Sequence, residues 1–412
     1  MITAILDQVF RREGGRVLAG LIRFTGDFDL AEDALQDAFA RALVAWPRDG
    51  LPQNPGAWLS TAARRRAVDL VRRRKTRAAA ALPDLSVPPD DGDAETGPVA
   101  TSGVEDDRLR LLFTCCHPAL AQPAQVALAL RTLGGLGTRD IARAFIEPEP
   151  TTAQRLVRAK QKIRDARIPY EIPRKDDLPE RLAAVLACVY LIFNEGHTAT
   201  EGPTLVRPDL CAEATRLARL VVELLPDEPE ARGLLALVLL TDARRPARMD
   251  AAGLLVPLED QDRSLWERDK IREGTAILDT ALPFRRPGPY QIQAAVAALH
   301  AAAPSPGETD WHQIAALYGA LLRHTPTPVV ELNAAVALAM AEGVQHGLDW
   351  IASLEKRGEL AEYHLLPAAK ADLLRRAGQN SEAAAAYRQA LALVTNPAER
   401  GYLERRLREV DI

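Results

Sequence analysis

Residues 138–164 read TRDIARAFIEPEPTTAQRLVRAKQKIR, and how this stretch folds decides how the chain is built. Ile141, Ala142 and Phe145 fall on one face of a short helix. The run Glu147-Pro148-Glu149-Pro150 cannot continue it, because proline lacks the N–H and its ring clashes with the preceding turn. Thr151 with Gln154 has the form of a capping box and predicts that a second helix starts there. In that helix Leu156, Val157 and Ile163 form the inward set, while Gln154, Arg155, Arg158, Lys162 and Arg164 point outward. Two short helices about a tight turn, the second of them basic, have the form of a helix-turn-helix with its recognition helix. The competing reading is an ordinary helical hairpin with a solvated charged face.

Working outward, the 412 residues leave room for several domains, and 47% hydrophobic content supports real cores. A net charge of −4 excludes a uniformly basic nucleic-acid coat, so any DNA contact must come from local patches. Cysteine is sparse: Cys115, Cys116, Cys188 and Cys211 lack metal-ligand spacing and read as buried small side chains. The N-terminus has no basic segment followed by an apolar one, and the most apolar run, 183–193, falls short of the ~20 residues needed to span a bilayer. A cytoplasmic, reduced protein without membrane contact is expected.

Residues 1–77 read as helices. Residues 29–44 place Leu30, Ala34, Ala38 and Leu43 at helical spacing with Glu32, Asp33, Gln36 and Asp37 outside. Acid at a helix start complements the helix dipole, which accounts for part of this pattern without function. Pro47, Gly50, Pro52 and Pro55 mark a loop. A basic helix over 58–77 follows, in which Arg64, Arg65, Arg66, Arg72, Arg73, Arg74, Lys75 and Arg77 face a single acid, Asp69, and Val68, Leu70 and Val71 supply the inward face. It lacks the bulky apolar face of a membrane-surface helix, so phosphate neutralisation is the better reading. A solvated surface is the alternative.

Residues 78–103 change character. Asp84, Asp90, Asp91, Asp93 and Glu95 lie among prolines and glycines with no basic residue, the composition of an acidic linker. Residues 104–168 form a second helical unit, 168–179 a polar joint, and 178–412 a run of helical hairpins. In this tail Ala371, Gly378, Ala383, Tyr387 and Ala390 match the small and aromatic positions of a tetratricopeptide (TPR) helix pair. Residues 330–354 and 209–240 are looser copies. Such repeats stack into an array with a concave groove, where a ligand or protein partner is conceivable. The fold class is therefore all-α, with no strand required.

Two basic helical units around an acidic linker carry a family resemblance. DLAEDALQDAFARAL followed by NPGAWLSTAARRRAVDLVRRR resembles region 2 of bacterial extracytoplasmic-function (ECF) sigma factors, and residues 108–167 resemble their region 4. The segments YLIFNEGHTAT (190–200), DLCAEATRLARL (209–220), LEDQDRSLW (258–266) and GPYQIQAAVAALHA (288–301) resemble the ECF42 group, whose members carry a TPR-like extension. The resemblance implies region 2 at 1–77, region 4 at 104–168 and a TPR-like domain at 178–412. It implies as partners core RNA polymerase, through its β′ coiled coil and β flap, and promoter DNA. Asp33, Gln36 and Asp37 would dock on the coiled coil. Asn54, Trp58, Arg64, Arg65, Arg72 and Arg73 would hold the −10 strand, a base against a wall and phosphates along cations. Trp58 is more readily read as a core residue of the three-helix unit. Thr152, Gln154, Arg155 and Arg158 would read the −35 element, with Arg131, Arg139 and Lys160 as phosphate anchors. The family's turn commonly holds glycine where this chain has Ile146 and Glu149-Pro150.

No catalytic set, cofactor or metal site is expected: Glu195, His197 and Glu201 lack HExxH spacing. Asp260, Asp262, Arg263 and Trp266 are the densest polar–aromatic cluster of the tail, either a salt-bridged turn or a docking surface. The expectation is a sigma factor whose tail modulates activity. The alternatives are a polymerase-independent helix-turn-helix regulator with a TPR sensor, and a TPR scaffold whose basic helices contact something other than DNA.

Overall fold

Apolar residues at helical spacing, punctuated by Pro and Gly, fold as helices throughout the described residues, as the all-α expectation requires. The structure, a computed structural model, describes residues 2–80, 104–133, 136–145, 148–174, 176–198, 205–251 and 253–411. The acidic linker from residue 81 to 103, the turn residues Ile146 and Glu147, and Glu201 lie outside the described residues. Among those described, a lone antiparallel bridge between Met249 and Leu255 is the nearest approach to a strand. The chain forms two compact units, residues 1–188 and 189–412.

The first unit opens with α1 (Ile2–Thr25), α2 (Phe28–Asp49) and α3 (Pro55–Ala80). Gly26, at φ +65°, makes the left-handed turn between α1 and α2 that a Cβ would strain. Asp27 then caps α2, its carboxylate accepting the N–H groups of Asp29 (2.9 Å) and Leu30 (3.2 Å). The other Asp27 oxygen accepts from Arg74 of α3 at 2.7 Å, so one side chain starts α2 and ties it to α3. The seam is small-residue: Ala31, Ala34, Ala38 and Ala42 of α2 and Ala63 and Ala67 of α3 are buried, with Leu35 and Leu59 filling between them. This corrects the expected inward sets. Leu43 is 50% and Val44 71% exposed, and Val68, Leu70 and Val71 are only half-buried. The expected loop at Pro47 is corrected too: α2 continues through it to Asp49 and ends at Gly50, φ +88°. Trp46, almost fully buried, pins that last turn, and the carbonyl that Pro47 leaves without a donor belongs to exposed Leu43.

The second half of this unit is α4 (Val104–Cys115), α5 (Gln122–Thr132), α6 (Thr138–Phe145) and α7 (Glu149–Asp165). α4 and α5 pack against α1. A Cβ on Gly15 of α1 would stand 2.9 Å from the Leu133 carbonyl, so this contact demands glycine. The capping-box start at Thr151 is corrected: α7 begins at Glu149 after Pro148, with no side-chain cap. Pro150 sits in the first turn, where its missing N–H costs nothing. The buried stripe of α7 is Thr152, Leu156, Ala159 and Ile163. Val157, expected inside, is one step off that stripe and 58% exposed. Beyond α7, the Tyr170 hydroxyl lies within hydrogen-bonding distance of the Ala19 carbonyl of α1 (3.0 Å) and the Asp107 carbonyl of α4 (2.9 Å). The segment expected to be a polar joint therefore holds a buried tie.

α8 (Leu178–His197) runs from the first unit into the second. The second unit continues with α9 (Pro208–Leu224), α10 (Pro229–Asp242), α11 (Arg268–Ala281), α12 (Pro289–Ala302), α13 (Trp311–His324), α14 (Pro328–Glu342), α15 (Val344–Arg357), α16 (Leu365–Arg376), α17 (Asn380–Leu393) and α18 (Pro397–Val410). From α9 to α18 each helix packs on the next, the pattern of a stacked array. The α16–α17 hairpin turns at Gly378 (φ +74°) and buries Ala371, Ala383, Tyr387 and Ala390. The segment between α10 and α11 does something else: it reaches the far end of the array. Asp260 accepts from Arg406 of α18 at 2.8 Å, Glu259 pairs with Arg376 of α16, and a Cβ on Gly401 would meet Leu254.

The Asp27 cap generates a stability prediction. Burial raises its pKa, but Arg74 and the N–H groups of Leu30 and Asp29 outweigh that and hold it below the usual carboxylate value. Its contribution is present above the unfolded-state pKa and lost as pH falls through the lowered folded value. Asp27→Ala should cost about 1 kcal/mol at neutral pH in urea unfolding. The gap from wild type should close on acidification; a gap unchanged down to about pH 2 would refute the assignment.

Candidate nucleic-acid interface

α3 carries its arginines in two groups. Arg66 faces Asp37 (3.5 Å) and Arg74 faces Asp27, so both serve the fold. Arg64, Arg65, Arg72 and Arg73 are exposed. Arg64 lies over the Phe24 ring at 5.5 Å, and the other three meet no carboxylate among the described residues. At the start of the same helix Asn54 caps it, its Oδ1 accepting the Ala57 N–H at 3.0 Å. Trp58 is half-buried and meets Trp46 edge-on, with centroids 5.6 Å apart. It braces the core on one side and is open on the other.

On α7, Gln154 and Arg158 are exposed and Arg155 is half-buried. With Thr151, Lys162 and residues 119–121 they line a surface cleft of ≈ 360 Å³ between α7 and the start of α5. Thr152 is fully buried in the stripe that docks α7, so its side chain does not share that surface. Arg139 is exposed at the start of α6, while Arg131 donates to the Leu136 carbonyl at 3.2 Å.

Lys160 is elsewhere. Its side chain is 12% exposed, and its ammonium donates to Asp29 (2.8 Å) and Glu32 (3.1 Å) of α2, while Arg164 adds a bond to Asp29 at 3.1 Å. Burial alone would push the Lys160 pKa down; the two carboxylates more than reverse this and raise it. The basic face of α7 and the acidic first turn of α2 are thus clasped together. One turn further along α2, Asp33 and Gln36 are exposed. Asp37 is engaged by Arg41 (2.7 Å) and Arg66, and exposed Leu43 and Val44 follow.

In the tail, Asp260, Asp262, Arg263 and Trp266 are used internally. Asp260 holds Arg406, and Asp262 caps a short turn through the Ser264 N–H (2.8 Å). Arg263 lies over the buried Trp266 ring at 4.7 Å and donates to the His300 and Ala303 carbonyls. All four cysteines are buried and free, with burial pushing the Cys211 thiol up to about 12. Among the described residues no group of His, Cys, Asp and Glu could hold a metal ion, and no helix is long and apolar enough to cross a membrane. Sequence reasoning missed the clasp and the Tyr170 tie; only the charge complementarity of α2 and α7 hinted at the first.

Comparison with known proteins follows this geometry. Residues 9–77, essentially α1–α3, match the model of sigma-70 region 2. Residues 181–282 match a family of unknown function, DUF6596. An uncharacterized protein of Rhizobium meliloti, R00370, is 46% identical over 393 residues, covering 95% of this chain and 92% of that protein. The probable ECF RNA polymerase sigma factor SigI of Mycobacterium tuberculosis is 31% identical over 148 residues, 35% of this chain and 50% of that protein. No solved structure matches. Capped and tied by Asp27 and bearing its basic face on α3, the N-terminal helical group is a sigma-70 region 2, and over nearly its whole length the chain belongs to one family with the Rhizobium protein.

Proposed function

We propose that this chain is a promoter-specificity subunit that binds core RNA polymerase, recognises −35 and −10 elements and opens DNA without hydrolysing nucleotide. The observation that carries the proposal is a pair of basic faces, α3 and α7, in a chain of net charge −4. Arg65, Arg72, Arg73 and Arg158, exposed and meeting no carboxylate among the described residues, are the footprint of phosphate contacts on an acidic protein. In this reading exposed Asp33 and Gln36, with Leu43 and Val44 beside them, meet the polymerase coiled coil, and Asp37 keeps its intramolecular pairs until then. Arg65, Arg72 and Arg73 follow the −10 strand while Asn54 and the open side of Trp58 face its bases. Gln154, Arg155 and Arg158 reach −35 base edges, Arg139 a phosphate. Thr152 supports the helix that carries them. The helical tail modulates activity, in line with the ECF42 resemblance.

The clasp gives this reading a resting state. Lys160 cannot hold Asp29 and Glu32 and a phosphate at once, so the −35 anchor is released only when α7 leaves α2. Pairs of this partly buried kind are worth on the order of 1 kcal/mol each, enough to bias and too little to lock.

Holoenzyme assembled from core polymerase and the full chain should retain promoter duplex that core alone releases. Arg158→Ala should lose about 1–3 kcal/mol of discrimination between cognate and scrambled −35 sites. Arg73→Ala should weaken binding to both and reduce the salt slope by about 1. Equal losses on both sites for Arg158→Ala would remove it from the readers. Asp29→Asn with Glu32→Gln should speed amide exchange along α7 and raise holoenzyme yield at limiting polymerase by roughly two- to tenfold. Unchanged exchange and yield at low salt would dismiss the clasp as a resting state.

A further inference from the structure

Several cations of the second unit are held by acids. Lys270 holds Asp242 (2.6 Å) and Glu267 (2.8 Å), Arg406 holds Asp260 (2.8 Å) and Glu409 (2.9 Å), and Arg375 holds Asp372 (2.6 Å). Arg244, in the turn after α10, has no side-chain hydrogen bond or ion pair among the described residues. Its side chain is half-buried.

Its neighbours compound the imbalance. Arg248, on the same turn, donates to the His197 carbonyl and to the Thr198 hydroxyl (3.0 Å). Arg263 donates to the His300 and Ala303 carbonyls at 2.7 and 2.5 Å. Both guanidiniums are thereby oriented by the C-terminal ends of α8 and α12, and neither is neutralised. Ala247, beside Arg248, packs with Trp266 and Ala301 in one cluster, which brings the two arginine-bearing segments together. Asp242 and Glu399 bear on Arg248, and Glu308 on Arg263, without an ion pair to either; Asp242 is held by Lys270.

The consequences are visible in the titrating groups. Burial and then the like charges of Arg248 and Arg263 lower Arg244 to about 10. Burial and then Arg244 and Arg263 lower His300 to about 4, and burial with Arg248, Arg244 and Arg245 holds His197 well below its usual value. Both imidazoles are neutral at pH 7. His197 Nδ1, Arg263 Nε and Trp266 Nε1 are buried with no partner in the structure. Burying the Arg244 guanidinium beside the like charges of Arg248 and Arg263 is unfavourable, and an oxyanion relieves it by charge-assisted hydrogen bonds.

We propose that Arg244, flanked by Arg248 and Arg263 with His197 and His300 beside them, is an oxyanion-binding site in the second unit, taking a small carboxylate- or phosphate-bearing molecule. The guanidinium fork suits either anion. This site is independent of the promoter-binding reading.

The test follows thermal unfolding of the full chain in sodium phosphate, pyrophosphate or citrate against sodium chloride at matched ionic strength, with calorimetric titration of the same anions. At least one anion should give a saturable rise, roughly 5–10 °C at a hundredfold excess over Kd. A response to phosphate or pyrophosphate assigns a phosphate ligand, one to citrate alone a carboxylate. Arg244→Gln should abolish the rise and Arg244→Lys should weaken binding at least about tenfold, since ammonium lacks the planar fork. Arg272→Gln, on the exposed face of α11, should keep it. No saturable response to any of the three anions, or an equal rise in Arg244→Gln, would overturn the proposal.

Discussion

Lys160 between Asp29 and Glu32 is the charged contact that ties the two helical groups of the first unit to each other. It joins the acidic start of α2 to the middle of α7, helices more than a hundred residues apart in sequence. Around it the apolar packing of α4 and α5 on α1, the close approach at Gly15 and the Tyr170 tie make one body of what the chain presents as two segments. The charge pattern divides accordingly. Cations and acids that face each other within this body are paired by it, whereas Arg65, Arg72, Arg73 and Arg158 stay exposed. In the proposed reading a modest electrostatic clasp suits an opening step, because exchange of one set of ion pairs for another needs little net free energy.

The second unit is held by a different device. A stacked array of helical hairpins has two ends, and the segment 243–267 brings its middle to the far one through Glu259, Asp260 and Leu254. The residues that seemed from the sequence most suited to an outside partner, Asp260 and Arg263, are occupied in this bracing. The uncompensated charge lies instead at Arg244, which no local motif marks.

The sequence made the helical class, the hairpin pairs and the basic character of α3 and α7 legible, because each rests on periodicity or composition within a few turns. It misplaced details that depend on which neighbours a helix meets. Val157 and Leu43 are apolar and at plausible spacing, yet the inner seams are lined by Ala34, Ala38, Ala159 and Thr152, where close helix approach leaves no room for larger side chains. The start of α7 moved because Pro148 and Pro150 can open a helix as readily as they close one. Of the candidate site residues, exposed Gln154, Arg158, Arg65, Arg72 and Arg73 stand where helical geometry would put them. Lys160 does not, because its partner comes from a distant segment that periodicity cannot see.

The central claim is that this chain directs polymerase to open promoter DNA. Permanganate reactivity of −10 thymines, on genomic promoter fragments incubated with core polymerase and the full chain, tests it most directly. The account predicts thymines that become reactive only when chain and polymerase are both present, and fewer of them with Arg72→Ala and Arg73→Ala. Duplex that stays unreactive with both proteins at permissive salt, or opening by core polymerase alone to the same extent, would contradict it.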